Sequence, residues 1–292
     1  MSEAEFTKEK NITEKGCLYL VATPIGNTAD ITERALKVLT EADFIAAEDT
    51  RNSGLLLSRY GLHRPMVSYH EHNKASRGPE IVERLKAGES CALITDAGMP
   101  AISDPGEDLV RLCAEASVTV HPVPGACAAV SALALSAISS RHFFFEGFLP
   151  VMGKERRERL GAVAAQPETV IVYEAPHRLR KTLTELCDVC GKDRKISLCR
   201  ELTKLNEEVF RTTLAGACEK YAEAEPRGEY VLVIEGNNGP KSEDAAENEN
   251  LSVPERVDRY VAAGMSEKDA IKAVAKELGV QKNDVYSQIK RK

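Results

Sequence analysis

The chain has 292 residues, 43% of them hydrophobic and 29% charged, with a formal net charge of −6. That length suggests two or more domains, and the net acidity excludes nucleic-acid binding through a uniformly basic surface, leaving only a local basic region for it. The longest apolar stretch, residues 126–138, is broken by small and polar residues and falls short of the roughly 20 needed to cross a bilayer.

Residues 1–16 read as a polar N-terminal extension of mixed charge, unlike a signal peptide, so a cytoplasmic protein without membrane contact is expected. Residues 17–146 alternate short β-rich runs (18–22, 44–47, 66–69, 91–94 and 118–123) with segments such as 31–39 and 81–85, where apolar residues recur three and four apart. This alternation predicts an α/β domain with a mostly parallel sheet flanked by helices. Residues 143–150 read as a hinge or as the first strand of a second domain, 147–236. Its pattern is mixed α+β, with a charged helix at 154–164 and strand-like runs at 169–173, 196–199 and 229–234. Residues 237–250 are rich in Asn, Gly and acids and predict a solvated linker.

The tail, 251–292, predicts three short helices. Pro254 sits near a first turn, Val257, Tyr260 and Val261 form an apolar face, and Gly264 ends the first. Ser266 to Asp269 resembles a capping box ahead of Ala270, Ile271, Val274, Ala275 and Leu278, with Gly279 as the stop. Val285 and Ile289 mark the third. Nine Lys and Arg against six Asp and Glu give the tail a net charge of +3, compatible with a helix-turn-helix module contacting nucleic acid or with a protein-docking bundle.

Open α/β sheets bind ligands at the carboxyl ends of their strands, and five loops there carry suggestive residues. Residues 95–106, Thr-Asp-Ala-Gly-Met-Pro-Ala-Ile-Ser-Asp-Pro-Gly, combine stiff prolines with glycines that permit close backbone approach. Glu48-Asp49-Thr50-Arg51 groups two carboxylates with a guanidinium. Pro124 to Ala128 opens a helix with small residues, and Tyr173 to Arg178 and Arg200 to Lys204 follow two runs of the second domain. Each is compatible with a plain turn, but convergence of several at one sheet edge is what a site requires. No G-x-G-x-x-G follows a strand and no G-x-x-x-x-G-K-[ST] occurs, so the usual dinucleotide and phosphate cradles are absent. Cys187-x-x-Cys190 is a lone pair late in a helical pattern, and His70-Glu71-His72 lacks a third ligand, so no metal is expected.

Residues 18–27 (Leu-Tyr-Leu-Val-Ala-Thr-Pro-Ile-Gly-Asn), 30–36 (Asp-Ile-Thr-Glu-Arg-Ala-Leu) and 46–51 (Ala-Ala-Glu-Asp-Thr-Arg), the 96–106 loop, Pro124-Gly125, Glu-Gly-Phe-Leu-Pro at 146–150, His177-Arg178-Leu179 and Arg200-Glu201-Leu202-Thr203-Lys204 together resemble the ribosomal-RNA-modifying branch of the tetrapyrrole methylase superfamily. The match runs in order from 18 to 236, and the tail resembles that branch's small helical C-terminal domain. The resemblance implies two α/β domains with S-adenosylmethionine held in the cleft between them, a homodimer, and 2'-O-methylation of a cytidine in the decoding region of 16S ribosomal RNA in the small ribosomal subunit. By position it implies methyl-donor contacts at Pro24, Asp96, Gly98, Ile102, Cys127, Ala128, Tyr173, Glu174, Leu202 and Glu229, while Asp104 is expected to hold its own loop. Tetrapyrrole-modifying members carry G-x-G-x-G-D in the first loop, where this chain has Thr23-Pro24-Ile25-Gly26-Asn27. That departure disfavours a porphyrin-like substrate.

For the chemistry, Glu48, Asp49 or Glu201 is the candidate proton acceptor, with Arg51 and Arg200 beside them, and Arg178 and Lys204 as candidate phosphate ligands. The same acids and arginines are equally compatible with plain salt bridges. A base splayed into the cleft would stack on Tyr69, Tyr173 or the aromatic group at 143–148, since the chain has no tryptophan. Two other readings stand beside this one: a small-molecule methylase acting on a tetrapyrrole, and a binding module without catalysis.

Overall fold

Apolar runs too short for helices become strands when helices cover them on both faces, and the first five runs do so in the computed structural model. The structure describes residues 12–237, 251–262, 264–278 and 280–289, and the chain divides into two compact units between Asn237 and Asn238. In the first unit β1 (Cys17–Val21), β2 (Phe44–Ala47), β3 (Met66–Ser68), β4 (Cys91–Ile94) and β5 (Thr119–Val123) form a sheet of order β3-β2-β4-β1-β5. Every pairing in it is parallel. Helices α1 (Glu33–Glu41) and α2 (Thr50–Arg59) cover one face, where Val38, Leu39 and Leu57 pack with Tyr19, Val21, Ile45 and Ile94. On the other face α3 (Lys74–Lys86) and α4 (Gly106–Glu115) bring Ile81, Leu85, Leu109 and Cys113 against Leu18, Phe44, Cys91 and Leu93.

The strand order also fixes where this sheet opens. The chain leaving β2 turns outward to β3, whereas the chain leaving neighbouring β4 runs the opposite way, past β1, to β5. Adjacent carboxyl ends whose connections diverge leave a crevice between them, here between Glu48 and Thr95.

The second sheet contains β6 (Phe143–Phe148), β7 (Thr169–Glu174), β8 (Lys195–Arg200), β9 (Glu208–Thr213) and β10 (Tyr230–Ile234), in the order β6-β7-β10-β8-β9. Only β6 and β7 run parallel. Helix α5 (Ala128–Leu135) follows β5 of the first sheet yet packs on the second, with Ala129, Ala132 and Leu133 against Ile171, Cys199, Val231 and Val233. The opposite face is covered by α6 (Gly153–Ala165), α7 (Pro176–Cys190) and α8 (Leu214–Glu223). The mixed α+β pattern is thus realised, with one strand, β9, that the run analysis omits. β6 pairs with β7 from Phe143 onward, so the passage between the sheets falls ahead of residue 143 rather than at 146. Cys187 and Cys190 lie at the end of α7 as free thiols.

The second unit has its own core. Helices α9 (Val253–Ala262), α10 (Glu267–Leu278) and α11 (Lys282–Ile289) enclose Val257, Ala270, Ile271, Val274, Ala275 and Val285. Ser266 caps α10: its hydroxyl accepts from Asp269 N–H at 3.3 Å and donates to the Asp269 carboxylate at 2.8 Å. The expected stop at Gly279, residues 1–11 of the extension and residues 238–250 of the linker lie outside the described residues. No described helix is long and apolar enough to cross a membrane.

Arg156 ties α6 to α7. It is 2% exposed and donates to Glu185 at 2.6 and 2.8 Å, to Thr182 Oγ1 at 2.8 Å and to Pro150 O at 2.7 Å. Removing one partner from such a pair strands the other. Arg156→Ala should therefore lower the unfolding free energy by about 3 kcal/mol in a urea titration.

Candidate active site

The loop leaving β4 is held rigidly before any ligand arrives. Asp104 accepts the backbone N–H of Ala101 at 3.0 Å, Ile102 at 3.3 Å and Gly106 at 2.7 Å, and so holds its own loop. Ala101 and Ser103 adopt left-handed φ of 66° and 63°, a conformation L-residues keep only where surrounding contacts enforce it. The loop is tied to the end of β1 by paired Thr23–Gly98 backbone bonds of 2.9 and 3.0 Å, and by Thr23 Oγ1 donating to Thr95 O at 3.2 Å.

A second strained loop faces it from β8 of the other sheet. Glu201 and Thr203 also have positive φ, 51° and 66°. The loop after β1 runs against this one: Asn27 N–H donates to Thr203 Oγ1 at 3.0 Å, and a Cβ added to Gly26 would lie 2.8 Å from that oxygen and 3.0 Å from Leu202 O. The two loop systems enclose a cavity of about 570 Å³, within the range of small-molecule sites.

Of the residues assigned to a methyl donor by resemblance, Asp96, Gly98, Ile102, Cys127, Ala128, Tyr173, Glu174, Leu202 and Glu229 line this cavity. Pro24 does not; it is buried beside Ile25, which does. Tyr173 is fixed by Ala129 N–H donating to its hydroxyl at 3.1 Å, and burial pushes that hydroxyl's pKa up to about 12. Glu48, Glu201 and Lys204 also face the cavity.

Besides Pro24, four of the expected site residues do not reach it. Asp49 caps α2, accepting Arg51 N–H at 2.8 Å and pairing with the Arg51 guanidinium at 3.1 Å, which leaves Arg51 89% exposed outside the cavity. Arg178 is spent on Glu174, 3.3 Å away, and on the carbonyl of Leu149. Arg200 follows Cys199 on β8, so strand alternation turns it to the opposite face, where it pairs with Glu208 at 3.3 Å. Conversely, Ile25, Thr95, Met99, Ser103 and His177 line the cavity without having been singled out, and Phe148 alone of the aromatic group at 143–148 does so. Most of these sit beside a chosen residue in the same loop, where sequence cannot say which side chain turns inward.

The charges are unequal. Six carboxylates line the cavity against Lys204 and His177. Asp104 is engaged by backbone, Glu174 by Arg178, and Glu201 and Glu229 by Lys204 at 2.9 and 2.8 Å. Glu48 and Asp96, across the crevice, have weaker partners: Thr95 Oγ1 at 3.0 Å and Asn52 Nδ2 at 3.5 Å. Burial pushes the Glu48 carboxyl above its ordinary pKa, and Asp96 and Asp104 add to the rise against the Thr95 hydrogen bond. Burial acts the same way on Glu201, but Lys204 and the Glu229 N–H outweigh it and hold that carboxyl low. One carboxylate is thus tuned towards accepting a proton and the other towards staying ionised.

Solved structures share this two-sheet architecture. Uroporphyrin-III-C-methyltransferase from Thermus thermophilus is 19% identical with a TM-score of 0.54, covering 75% of this chain and 94% of its own. A cobalt precorrin-4 methyltransferase is 16% identical with a TM-score of 0.56, covering 75% and 95%. The model of the family Tetrapyrrole (Corrin/Porphyrin) Methylases matches residues 17–218, so the fold is that of a methylase of this class. Among curated relatives, the ribosomal RNA small subunit methyltransferase I of Halalkalibacterium halodurans is 46% identical over 274 residues, 94% of either chain. Those of Bacillus subtilis and Haemophilus influenzae are 45% and 46% identical over 275 residues, covering 94% and 93% of this chain and 94% and 95% of their own. The chain belongs to the ribosomal RNA small subunit methyltransferase I family.

Two outcomes are expected. Gly26→Val forces a branched side chain into the Thr203–Leu202 contact and should weaken ligand binding in the cavity at least about tenfold by calorimetry. Because the folded-state pKa of Glu48 is raised, its stabilising protonated form is present below the ordinary value of 4.5 and lost as pH rises through the folded value. Glu48→Gln should therefore melt above the parent at pH 7 to 8, the advantage fading as pH falls below 4.5, in a thermal series across pH 4 to 8.

Proposed function

We propose that this protein catalyses S-adenosylmethionine-dependent 2'-O-methylation of a cytidine in the decoding region of 16S ribosomal RNA, acting on the small ribosomal subunit as a homodimer in the cytoplasm. The observation that carries the proposal is the cavity at the diverging ends of β2 and β4, where Glu48 and Asp96 form no salt bridge with a Lys or Arg among the described residues, in a chain of this family. S-adenosylmethionine, when bound, supplies an electrophilic methyl group on a sulfonium. A molecule with a sulfonium and an ammonium against one carboxylate is net cationic, and the donor set suits it: Asp96 and Glu48 for positive charge, Ile25, Ile102, Leu202 and Val231 for an apolar ring.

In this scheme the chain contributes placement and one proton acceptor. Glu48 takes the 2'-hydroxyl proton as the oxygen attacks, its raised pKa bringing its basicity closer to the working pH. Glu201 and Asp49 are less suited, being held low by Lys204 and by Arg51 respectively. Lys204, on the cavity wall, meets phosphate or developing negative charge. No metal ion enters the scheme. The helices of the second unit, with a tail charge of +3, orient the RNA.

A tritium-transfer assay comparing unmodified 30S particles, free 16S RNA and uroporphyrinogen tests the assignment. Label confined to ribosomal material, mapping to a ribose 2'-oxygen of cytidine, is expected; label in uroporphyrinogen overturns it. Glu48→Ala should slow single-turnover transfer by about 100-fold or more while leaving folding intact. Deleting residues 251–292 should weaken binding to 30S particles and leave the Kd for S-adenosylmethionine unchanged.

A further inference from the structure

The cavity has an outer lip that neither the donor assignment nor the proton acceptor uses. Phe148, at the end of β6, lines the cavity yet is 55% exposed. Its direction comes from a β-bulge. The β6–β7 register pairs Phe145 with Ile171 and then Gly147 with Val172, so Glu146 is the extra residue and the alternation of faces shifts by one. Glu146 turns to Arg159 of α6, while Phe145 and Phe148 come to the same side, both edge-on to Tyr173 at 5.1 and 5.5 Å between ring centroids. In an unbroken strand Phe148 would face the other way.

The bulge requires its glycine. Gly147 has φ +72°, and a Cβ there would lie 2.7 Å from Ser103 Oγ on the β4 loop. Tyr173 is itself pinned by Ala129, so Phe148 is a braced ring at the cavity mouth rather than a loose side chain. Of the other aromatic candidates, Tyr173 lines the cavity as the ring that braces Phe148, Tyr69 is buried at 1% exposure, and Phe143, Phe144 and Phe145 do not line the cavity.

Beyond Phe148 the chain is exposed at Val151 and Met152 and then at Lys154 and Arg157 at the start of α6, where Lys154 lies 3.5 Å from Glu158. Arg156 binds Pro150 O at 2.7 Å and so holds that start beside the end of β6. An acidic interior and an aromatic rim, followed a few residues along the chain by two exposed cations, suit a nucleotide: a π-face to stack on and cations for its phosphates.

We propose that Phe148, aimed by the Glu146–Gly147 bulge, is the stacking platform for an unstacked base of the RNA substrate, with Lys154 and Arg157 meeting the adjoining phosphates. The subsite rests on the RNA reading of the cavity and names the part of it that holds the nucleobase. Base–aromatic stacking of this kind is sequence-tolerant, so Phe148 sets affinity and placement of the ribose.

The test compares Phe148→Ala, Phe148→Leu and Phe148→Trp with the parent chain, using fluorescence anisotropy of a labelled single-stranded oligocytidine RNA, single-turnover transfer to 30S particles, and calorimetry with S-adenosylmethionine. Phe148→Ala should weaken oligonucleotide binding about 5- to 150-fold, Phe148→Leu should fail to restore it, and Phe148→Trp should restore it, all with parental donor affinity and melting temperature. The double variant Lys154→Ala/Arg157→Ala should flatten the log–log salt dependence of binding by about 0.7 per contact removed. Parental RNA affinity in Phe148→Ala or Phe148→Leu overturns the proposal, as does loss of donor affinity in Phe148→Ala, or a parent chain that does not bind the oligonucleotide. Failure of the parent to label 30S particles would refute the proposed reaction alone, because the oligonucleotide comparison still decides the role of Phe148.

Discussion

The packing of α5 is the contact on which the rest of the first unit depends. This helix is continuous with the last strand of the parallel sheet, yet its apolar side is buried in the face of the other sheet against Ile171, Cys199, Val231 and Val233. Its sequence, Ala-Ala-Val-Ser-Ala-Leu-Ala-Leu, presents small side chains that let the backbone approach that sheet closely, and burial of such surface is the main favourable term in joining two layers. Once α5 is seated, the carboxyl edge of the parallel sheet faces the ends of β7, β8 and β10. Loops from two separately wound sheets then meet across a cavity without either sheet having to bend.

The chemistry follows from what this meeting leaves uncompensated. Hydrogen bonds and ion pairs satisfy Asp104, Glu174, Glu201 and Glu229 within the wall, so their charges serve the architecture. Glu48 and Asp96 flank the crevice created by the diverging strand connections. The nearby charge of Asp96 adds to the raised proton affinity of Glu48, and a cationic ligand relieves that repulsion. The positive-φ residues sharpen the same division: four of the six non-glycine examples among the described residues, Ala101, Ser103, Glu201 and Thr203, belong to the two loops that face each other. Strain stored in both walls is retained because Asp104 and the Thr203 contacts over-determine them.

Much of this was legible in the sequence. The loops at 95–106, 124–128 and 200–204 announce themselves because glycine, proline and clustered charges at strand ends have few other uses, and the helical tail shows its period and its cap. What sequence does not carry is the direction of individual side chains. Arg200 and Glu201 are neighbours in one motif, yet alternation on β8 sends the arginine to Glu208 on the far face. Arg178, in the first turn of α7, reaches back 3.3 Å to Glu174 at the end of β7 and is a structural partner of that carboxylate. β9 is half-buried at a sheet edge, so its charged and β-branched residues give no clean apolar run. The bulge in β6 leaves no trace beyond the single glycine at 147.

That bulge bears on how the molecule avoids its own kind. β6 is an edge strand on which Phe143 and Phe144 remain 45% and 37% exposed, a composition that invites another chain to pair along it. An extra residue at Glu146, charged and tethered to Arg159, breaks the even spacing of donors and acceptors that an incoming strand would need. The kink that turns a ring towards the cavity mouth therefore also guards the sheet against edge-to-edge aggregation, so straightening β6 would cost solubility as well as function.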